Sequence, residues 1–305
     1  MLDIEDHRVL SHHADKGDMK HVVVPKGVKQ ISDRVFQDCR KLKSITLPNS
    51  LKGVGDYAFS LCKQLGSVTL PNSVESIGEG AFRTCSVLTS VTLPSSLKRV
   101  SDRAFEKCYR LTSVTLPDSI ESIGDLAFSM CKRLPSITLP NSVESIGDRA
   151  FHNCIDLTTL KLPNSVGRVG HGAFWRCNGL TTLRLPNSLK LVGERAFWRC
   201  YRLTSVTLPH NLVYVDNQVF AHCAALTSVV FRPPVSRGAL IAWAVGNSRN
   251  RANWQLTTLK HTRNVLGLIT AMVLERRDVA CLDPDGSKGV FEACPCESRY
   301  RKSCV

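Results

Sequence analysis

The chain has 305 residues, 43% of them apolar, and a formal net charge of +14. That apolar content excludes an intrinsically disordered chain, and the length allows one large domain or two ordinary ones with a sizeable core. The basic balance favours acidic partners or polyanions, a matter of association and not of fold.

The N-terminus, MLDIEDHRVLSHHADKGD, places acidic residues where a signal peptide needs basic ones and has no apolar run. The longest apolar-leaning stretch, Val265 to Leu274, is too short to span a bilayer. The expectation is a soluble intracellular (cytoplasmic) protein, with a cell-surface protein exported by another route as the alternative. His7, His12, His13 and His21 have no acidic or Cys partners at ligand spacing and read as part of a solvated cap. Residues 1–23 are read as that cap, and the segment MKHVVVP, Met19 to Pro25, is half a copy of the repeat that fills the next two-thirds of the chain.

From Val24 to residue 231 one 23-residue sentence is written nine times, with copies starting at Val24, Leu47, Leu70, Leu93, Leu116, Leu139, Leu162, Leu185 and Leu208. Its consensus is L-P-N-S-[VL]-x-x-[VI]-G-D-x-A-F-x-x-C-x-x-L-T-S-V-T, without one insertion or deletion. Such regularity suits a stacked solenoid, in which an insertion breaks register with both neighbours. In LTSVTLP, Val114 and Leu116 alternate with Ser113 and Thr115, the period of a strand with one face inward. The Pro after it ends the strand, and Asn-Ser is turn chemistry. SIESIG reads as a second short extended piece with Ile120 and Ile123 inward, and its Gly lets the chain bend. DxAFxxC reads as one or two helical turns behind an Asp N-cap, pressing Ala, Phe and Cys on the core.

These columns resemble a leucine-rich repeat, and the L-P…I-G-x-x-A-F-x-x-C-x-x-L form resembles the BspA-like (Treponema-type) class. The match covers residues 19–231, and nine of the eleven Phe and nine of the fourteen Pro lie on the grid. The resemblance implies a right-handed, curved β/α solenoid with a parallel sheet on the concave face and short helical turns on the other side. It also implies a non-catalytic recognition scaffold for other proteins. Fold analogy of this kind does not name a partner.

Nine of the thirteen Cys step by 23 residues, from Cys39 to Cys223. Neighbouring coils would hold them about 5 Å apart. Equivalent side chains point the same way, however, whereas a disulfide needs converging Cβ atoms and zinc needs a tetrahedron. The column is therefore expected to be buried packing.

Two outward columns of the long strands are hydroxyl-rich, interrupted by Lys161 and Arg184. The array resembles the Thr rows of ice-binding solenoids, but the two cations break it, and a solvated strand is the simpler reading. Copies six to eight change elsewhere: the position after Phe becomes His152, Trp175 and Trp198, and the next becomes Asn153, Arg176 and Arg199, with Tyr201 nearby. Exposed Trp, Tyr and Arg are interface hot-spot types, so His152, Trp175, Arg176, Trp198, Arg199, Tyr201, Lys161 and Arg184 are the candidate partner-binding residues. The alternative is that the two Trp pack against the next coil or under the C-terminal segment. No nucleic-acid motif accompanies the arginines, so a nucleic-acid partner is not expected.

Beyond Phe231 the grid ends. Residues 232–277 read as a helical C-terminal cap, with Leu256, Leu259, Leu266, Ile269 and Val273 roughly on one face. Residues 278–305 read as a flexible tail whose Cys281, Cys294, Cys296 and Cys304 lack the paired spacing of a zinc site. DPDG is a turn, since its Gly and its twelfth residue do not fit a calcium loop. No nucleophile–base motif, zinc-protease helix or phosphate loop occurs, so neither an enzyme nor a cofactor is expected. The reading is a protein-interaction scaffold, with a surface adhesion or ligand-recognition protein of the same fold as the alternative.

Overall fold

The computed structural model describes residues 2–5, 8–12, 18–209, 212, 214–215, 218–231, 281–282 and 288–289. Nine coils of 23 residues stack with every strand paired in parallel to its equivalent one coil away. Each coil contributes strands to two separate ladders. The long strands pair in four groups: His21–Val23 with Ser44–Thr46, Ser90–Thr92 with Ser113–Thr115, Ser136–Thr138 with Thr159–Lys161, and Thr182–Arg184 with Ser205–Leu208 and Ser228–Phe231. In coil two the pairing thins to a single bridge, Ser67 to Ser90. The second ladder consists of two-residue strands in two runs, Gln30–Ile31 to Ser76–Ile77 and Arg99–Val100 through Ser122–Ile123 to Tyr214–Val215. At its N-terminal end Arg8–His12 pairs antiparallel with Leu2–Glu5 and parallel with Gln30–Ile31, so the ladder does not begin on a bare edge.

The strands alternate as expected. Ile45, Val91, Ile137 and Leu183 are buried between exposed hydroxyl-bearing or cationic neighbours. Ile120 and Ile123 face inward. The core is a set of columns: Leu, Val or Ile from the two strands, then Ala, Phe and Cys from the third side, all within one cluster. The nine Phe rings lie in one stack, centroids 5.2–5.5 Å apart and planes within 2–13° of parallel. The coil repeat dictates this: equivalent rings one coil apart are brought to stacking distance, each burying a large apolar surface.

The third side differs from expectation. The DxAFxxC segments are not helical turns, and no helix occurs among the described residues. Two positions per coil lie in the left-handed region, the one after Asp and the one before Cys, as in Arg149 (φ 52°) and Asn153 (φ 61°). A right-handed helix cannot run through them. The amide groups it would have used turn outward to the following coil: Arg149 N–H donates to His171 O at 2.7 Å, Phe151 N–H to Ala173 O at 2.7 Å and Asn153 N–H to Trp175 O at 2.7 Å. Between them, His152 N–H and Cys154 N–H close tight turns onto Arg149 O and Phe151 O. A stack can satisfy these groups between coils, so the helix has no advantage there.

The expected Asp N-cap is also an inter-coil contact. Asp125 Oδ1 accepts from the Asp148 N–H at 2.7 Å, and Asp148 Oδ1 from the His171 N–H at 2.8 Å. The turn Ser does the same: Ser142 Oγ donates to Ile120 O and Ser165 Oγ to Val143 O, both at 2.6 Å. The coil-to-coil approach is so close that a Cβ on Gly147 would lie 2.4 Å from Asp125 Oδ1 and 2.7 Å from the Gly124 carbonyl carbon. Glycine stands there because the neighbouring backbone occupies the space of a side chain.

The nine grid cysteines are buried thiols. Each from Cys62 onward donates its S–H to the carbonyl of the Phe in the preceding coil, as Cys131 Sγ does to Phe105 O at 3.3 Å and Cys154 Sγ to Phe128 O at 3.2 Å. Burial pushes the thiols of Cys85, Cys131, Cys177 and Cys200 upward in pKa, and those of Cys108 and Cys154 to about 12. The ladder is therefore packing plus a weak second donor to a carbonyl that already accepts the Cys N–H of its own coil, as Phe105 O does from Cys108. The expected helical cap at 232–277 lies outside the described residues. In the tail, Cys281–Leu282 pairs antiparallel with Lys288–Gly289, on either side of the expected DPDG turn.

Candidate functional site

The position after Phe, on the third side of each coil, is a shallow slot between neighbouring coils. In coils three and four it holds an ion pair, Arg83 to Glu106 at 2.8 Å, with Glu106 buried. In coils six to eight it holds rings. His152 meets Trp175 edge to face (5.4 Å, 72°), Trp175 meets Trp198 (4.6 Å, 82°), and Trp198 meets His222 in the adjoining column (5.2 Å, 84°). The register of 23 residues makes the ladder, because equivalent side chains of successive coils must touch. The edge-to-face arrangement suits rings whose edges and faces carry opposite partial charge.

Guanidinium groups flank these rings. Arg149 stands 5.8 Å from the Trp175 ring centroid and Arg199 4.0 Å from that of Trp198. Arg176 and Arg199 occupy the left-handed position before Cys, at φ 60° and 58°. His152 Nδ1 lies 3.3 Å from Ser129 Oγ. Burial first, and the charges of Arg149 and Arg176 second, hold the His152 imidazolium below its ordinary pKa. The ridge thus carries its positive charge on arginine, with a neutral imidazole at neutral pH. His152, Trp175, Trp198 and Arg199 are half-buried and Arg176 is exposed. The indole N–H groups of Trp175 and Trp198 are buried with no acceptor in reach.

The structure brings together His152, Trp175, Arg176, Trp198 and Arg199. Tyr201, 40% exposed, sits at the next corner of coil eight. Lys161 and Arg184 stand elsewhere, on the outward face of the long strands with the buried Phe and Leu columns between them and the ridge. Sequence reading singled out neither His222 nor Ser129, which end the ladder on its two sides. Both lie one coil beyond the aromatic run, so the 23-residue step itself was the signal. It also passed over the corner after Cys in coils four to six, where Tyr109, Arg110, Lys132, Arg133, Ile155 and Asp156 line a cavity of about 410 Å³. Among the described residues no three His, Cys, Asp or Glu gather as a metal would require.

The model of the BspA type leucine rich repeat region matches residues 12–135 and 122–237, in six copies. The chain belongs to the BspA-type leucine-rich repeat family. Among solved structures, a leucine-rich repeat protein from Bacteroides ovatus is similar at 23% identity, with 83% of this chain and 88% of that chain covered and a TM-score of 0.53. The pneumococcal vaccine antigen PcpA is similar at 20% identity over 82% of this chain and 83% of that chain, with a TM-score of 0.49. The first likeness establishes the leucine-rich repeat fold and carries nothing about partners. No curated protein shows a sequence match. No helix among the described residues of this BspA-type repeat protein is long and apolar enough to cross a membrane.

Proposed function

We propose that this BspA-type repeat protein is a non-catalytic scaffold that holds another protein at the ridge of coils six to eight. The observation that carries the reading is the half-buried Trp175–Trp198 pair flanked by Arg149, Arg176 and Arg199, in a slot that carries Ser or an ion pair in neighbouring coils. Trp and Arg in partly desolvated surroundings are the side chains on which protein interfaces concentrate their energy. The two indole N–H groups add a reason. A buried donor without an acceptor costs roughly 1–3 kcal/mol, so a small rotation toward a partner's carbonyl gains a bond the resting ridge lacks.

Affinity capture with paired baits tests this: the intact protein against Trp175→Ala/Trp198→Ala, with Arg176→Glu/Arg199→Glu as a second variant that leaves the packed rings in place. Melting curves first establish that all three are folded. A protein partner held by the intact bait and lost by both variants supports the site. The same partners on all three baits would remove the ridge from consideration.

A further inference from the structure

Acidic residues are distributed unevenly around the coil. The outward long-strand positions of all nine coils contain no Asp or Glu, from Lys43, Ser44 and Thr46 to Thr227, Ser228 and Val230. In the described coils every acid except Asp118 and Asp156 belongs to the second strand or the third side. There several cations are neutralised across coils: Lys52 by Glu75 at 2.6 Å, Lys98 by Glu121 at 2.9 Å and Arg103 by Glu79 at 2.6 Å. On the long-strand side of coils four to seven they are not. Among the described residues Arg110, Lys132, Arg133, Lys161 and Arg184 form no ion pair.

Arg110, Lys132 and Arg133 stand at the 410 Å³ cavity where these coils enter their long strands, and Lys132 Nζ lies 5.3 Å from the Tyr109 ring centroid. Ile155, 36% exposed, supplies an apolar wall. Lys161 is five residues further along the chain than Asp156, and Arg184 is its equivalent one coil on. At about 3.3 Å per residue and about 4.8 Å per strand, cavity and cation pair are separated by roughly 15–20 Å of hydroxyl-covered sheet.

The geometry points to an acidic polypeptide segment as the ligand of this face, lying extended across coils four to seven. One carboxylate end meets Arg110, Lys132 and Arg133, with an apolar side chain against Ile155, and the other end meets Lys161 and Arg184. Ser and Thr between them serve the peptide backbone, since a hydroxyl both donates and accepts. The outward strand positions carry no aromatic residue on which bases could stack, which favours a peptide over a single-stranded nucleic acid. The Trp ridge takes no part in this face, so variants of the two surfaces act independently.

The probe is a fluorescent twelve-residue Glu/Asp-rich peptide with one central Leu, titrated at physiological salt and followed by anisotropy. Lys132→Glu/Arg133→Glu and Lys161→Glu/Arg184→Glu are each expected to weaken binding by roughly tenfold or more. Arg168→Glu/Lys190→Glu makes the same charge change on the second-strand side and is expected to leave binding within about twofold, as is Trp175→Ala/Trp198→Ala. Equal loss in the Arg168/Lys190 variant would reduce the effect to net charge and overturn the site. Loss in the Trp variant would move the peptide to the ridge and overturn it too. So would absence of binding, or tighter binding of heparin with the same dependence on the face cations.

Discussion

Phe128 shows what a single residue contributes to a stack of this kind. Its ring lies between Phe105 and Phe151, 5.5 and 5.4 Å away, and is fully buried. Phe128→Ala leaves a cavity with rigid neighbours above and below, so the expected loss is roughly 3–5 kcal/mol. It is read as a lowered midpoint in thermal or urea melts, and an unchanged midpoint would refute the buried column. The thiols next to it make a pH prediction. Well below pH 9 the thiols from Cys85 to Cys200 are protonated in the folded and the unfolded chain alike. Above it the unfolded thiols ionise while the folded ones, with Cys108 and Cys154 held up to about 12 by burial, do not. The unfolded state therefore gains as pH rises from 9 toward 12, and stability is lost across that window. Melts at pH 8, 9.5 and 11, with a Cys108→Ala/Cys154→Ala variant showing a shallower fall, check the sign. A flat profile would exclude the buried-thiol account.

At the scale of the element, the bend after the second strand and the entry to the long strand show how differently two glycines of one coil type can be placed. Gly147→Ala puts a methyl 2.4 Å from Asp125 Oδ1 and 2.7 Å from backbone, with no flexible group able to yield both. Gly66, at the entry to a long strand, has nothing within 4 Å of an added Cβ. Overpacking typically costs about 1–3 kcal/mol, so Gly147→Ala is expected to fall in that range and Gly66→Ala to cost nothing measurable in the same denaturation series. The bend was legible as a bend; what made it glycine was not. The pattern suggested conformational freedom, whereas φ is unremarkable at Gly147 and the constraint is the neighbouring coil. The same blindness explains the missing helices. DxAFxxC has the cap and composition of a helical turn, and only Gly80 and Gly172, occupying the left-handed slot that Arg103 and Arg149 fill elsewhere, hinted otherwise.

On the scale of the whole molecule, stability is a sum over coils and their interfaces. Removing residues 116–138, one full coil, reconnects two equivalent positions and keeps every ladder in register. The shortened chain is expected to fold, with its urea m-value reduced in proportion to the lost surface. Removing residues 116–127 instead sets the Phe and Cys columns against strand positions, and a cooperative transition is expected to disappear. If both deletions behaved alike, register would not be what holds the stack. The same logic separates the two surfaces. A mutation on the ridge and one on the long-strand face touch opposite sides of the core, share no partner, and their effects on stability should add.

The amino-acid sequence by itself determined the number of coils, their 23-residue register, both strand ladders and the inward columns, because each depends on periodicity that stacking repeats without alteration. Ile120, Ile123, Phe128 and Cys131 were all placed inward by pattern alone, and all are buried. It also gathered His152, Trp175 and Trp198 into one column. Tertiary structure alone decided what lies between coils. Asp125 reaches the next coil instead of capping its own, Ser142 clasps Ile120, and Cys131 donates to Phe105. It also decided that Lys161 and Arg184 stand apart from the ridge and that Arg110, Lys132 and Arg133 share a cavity. The reason is physical. A hydrogen bond across a coil boundary joins residues about one repeat apart in the chain, and no local pattern distinguishes it from the local bond it replaces; only the close approach of two backbones chooses between them.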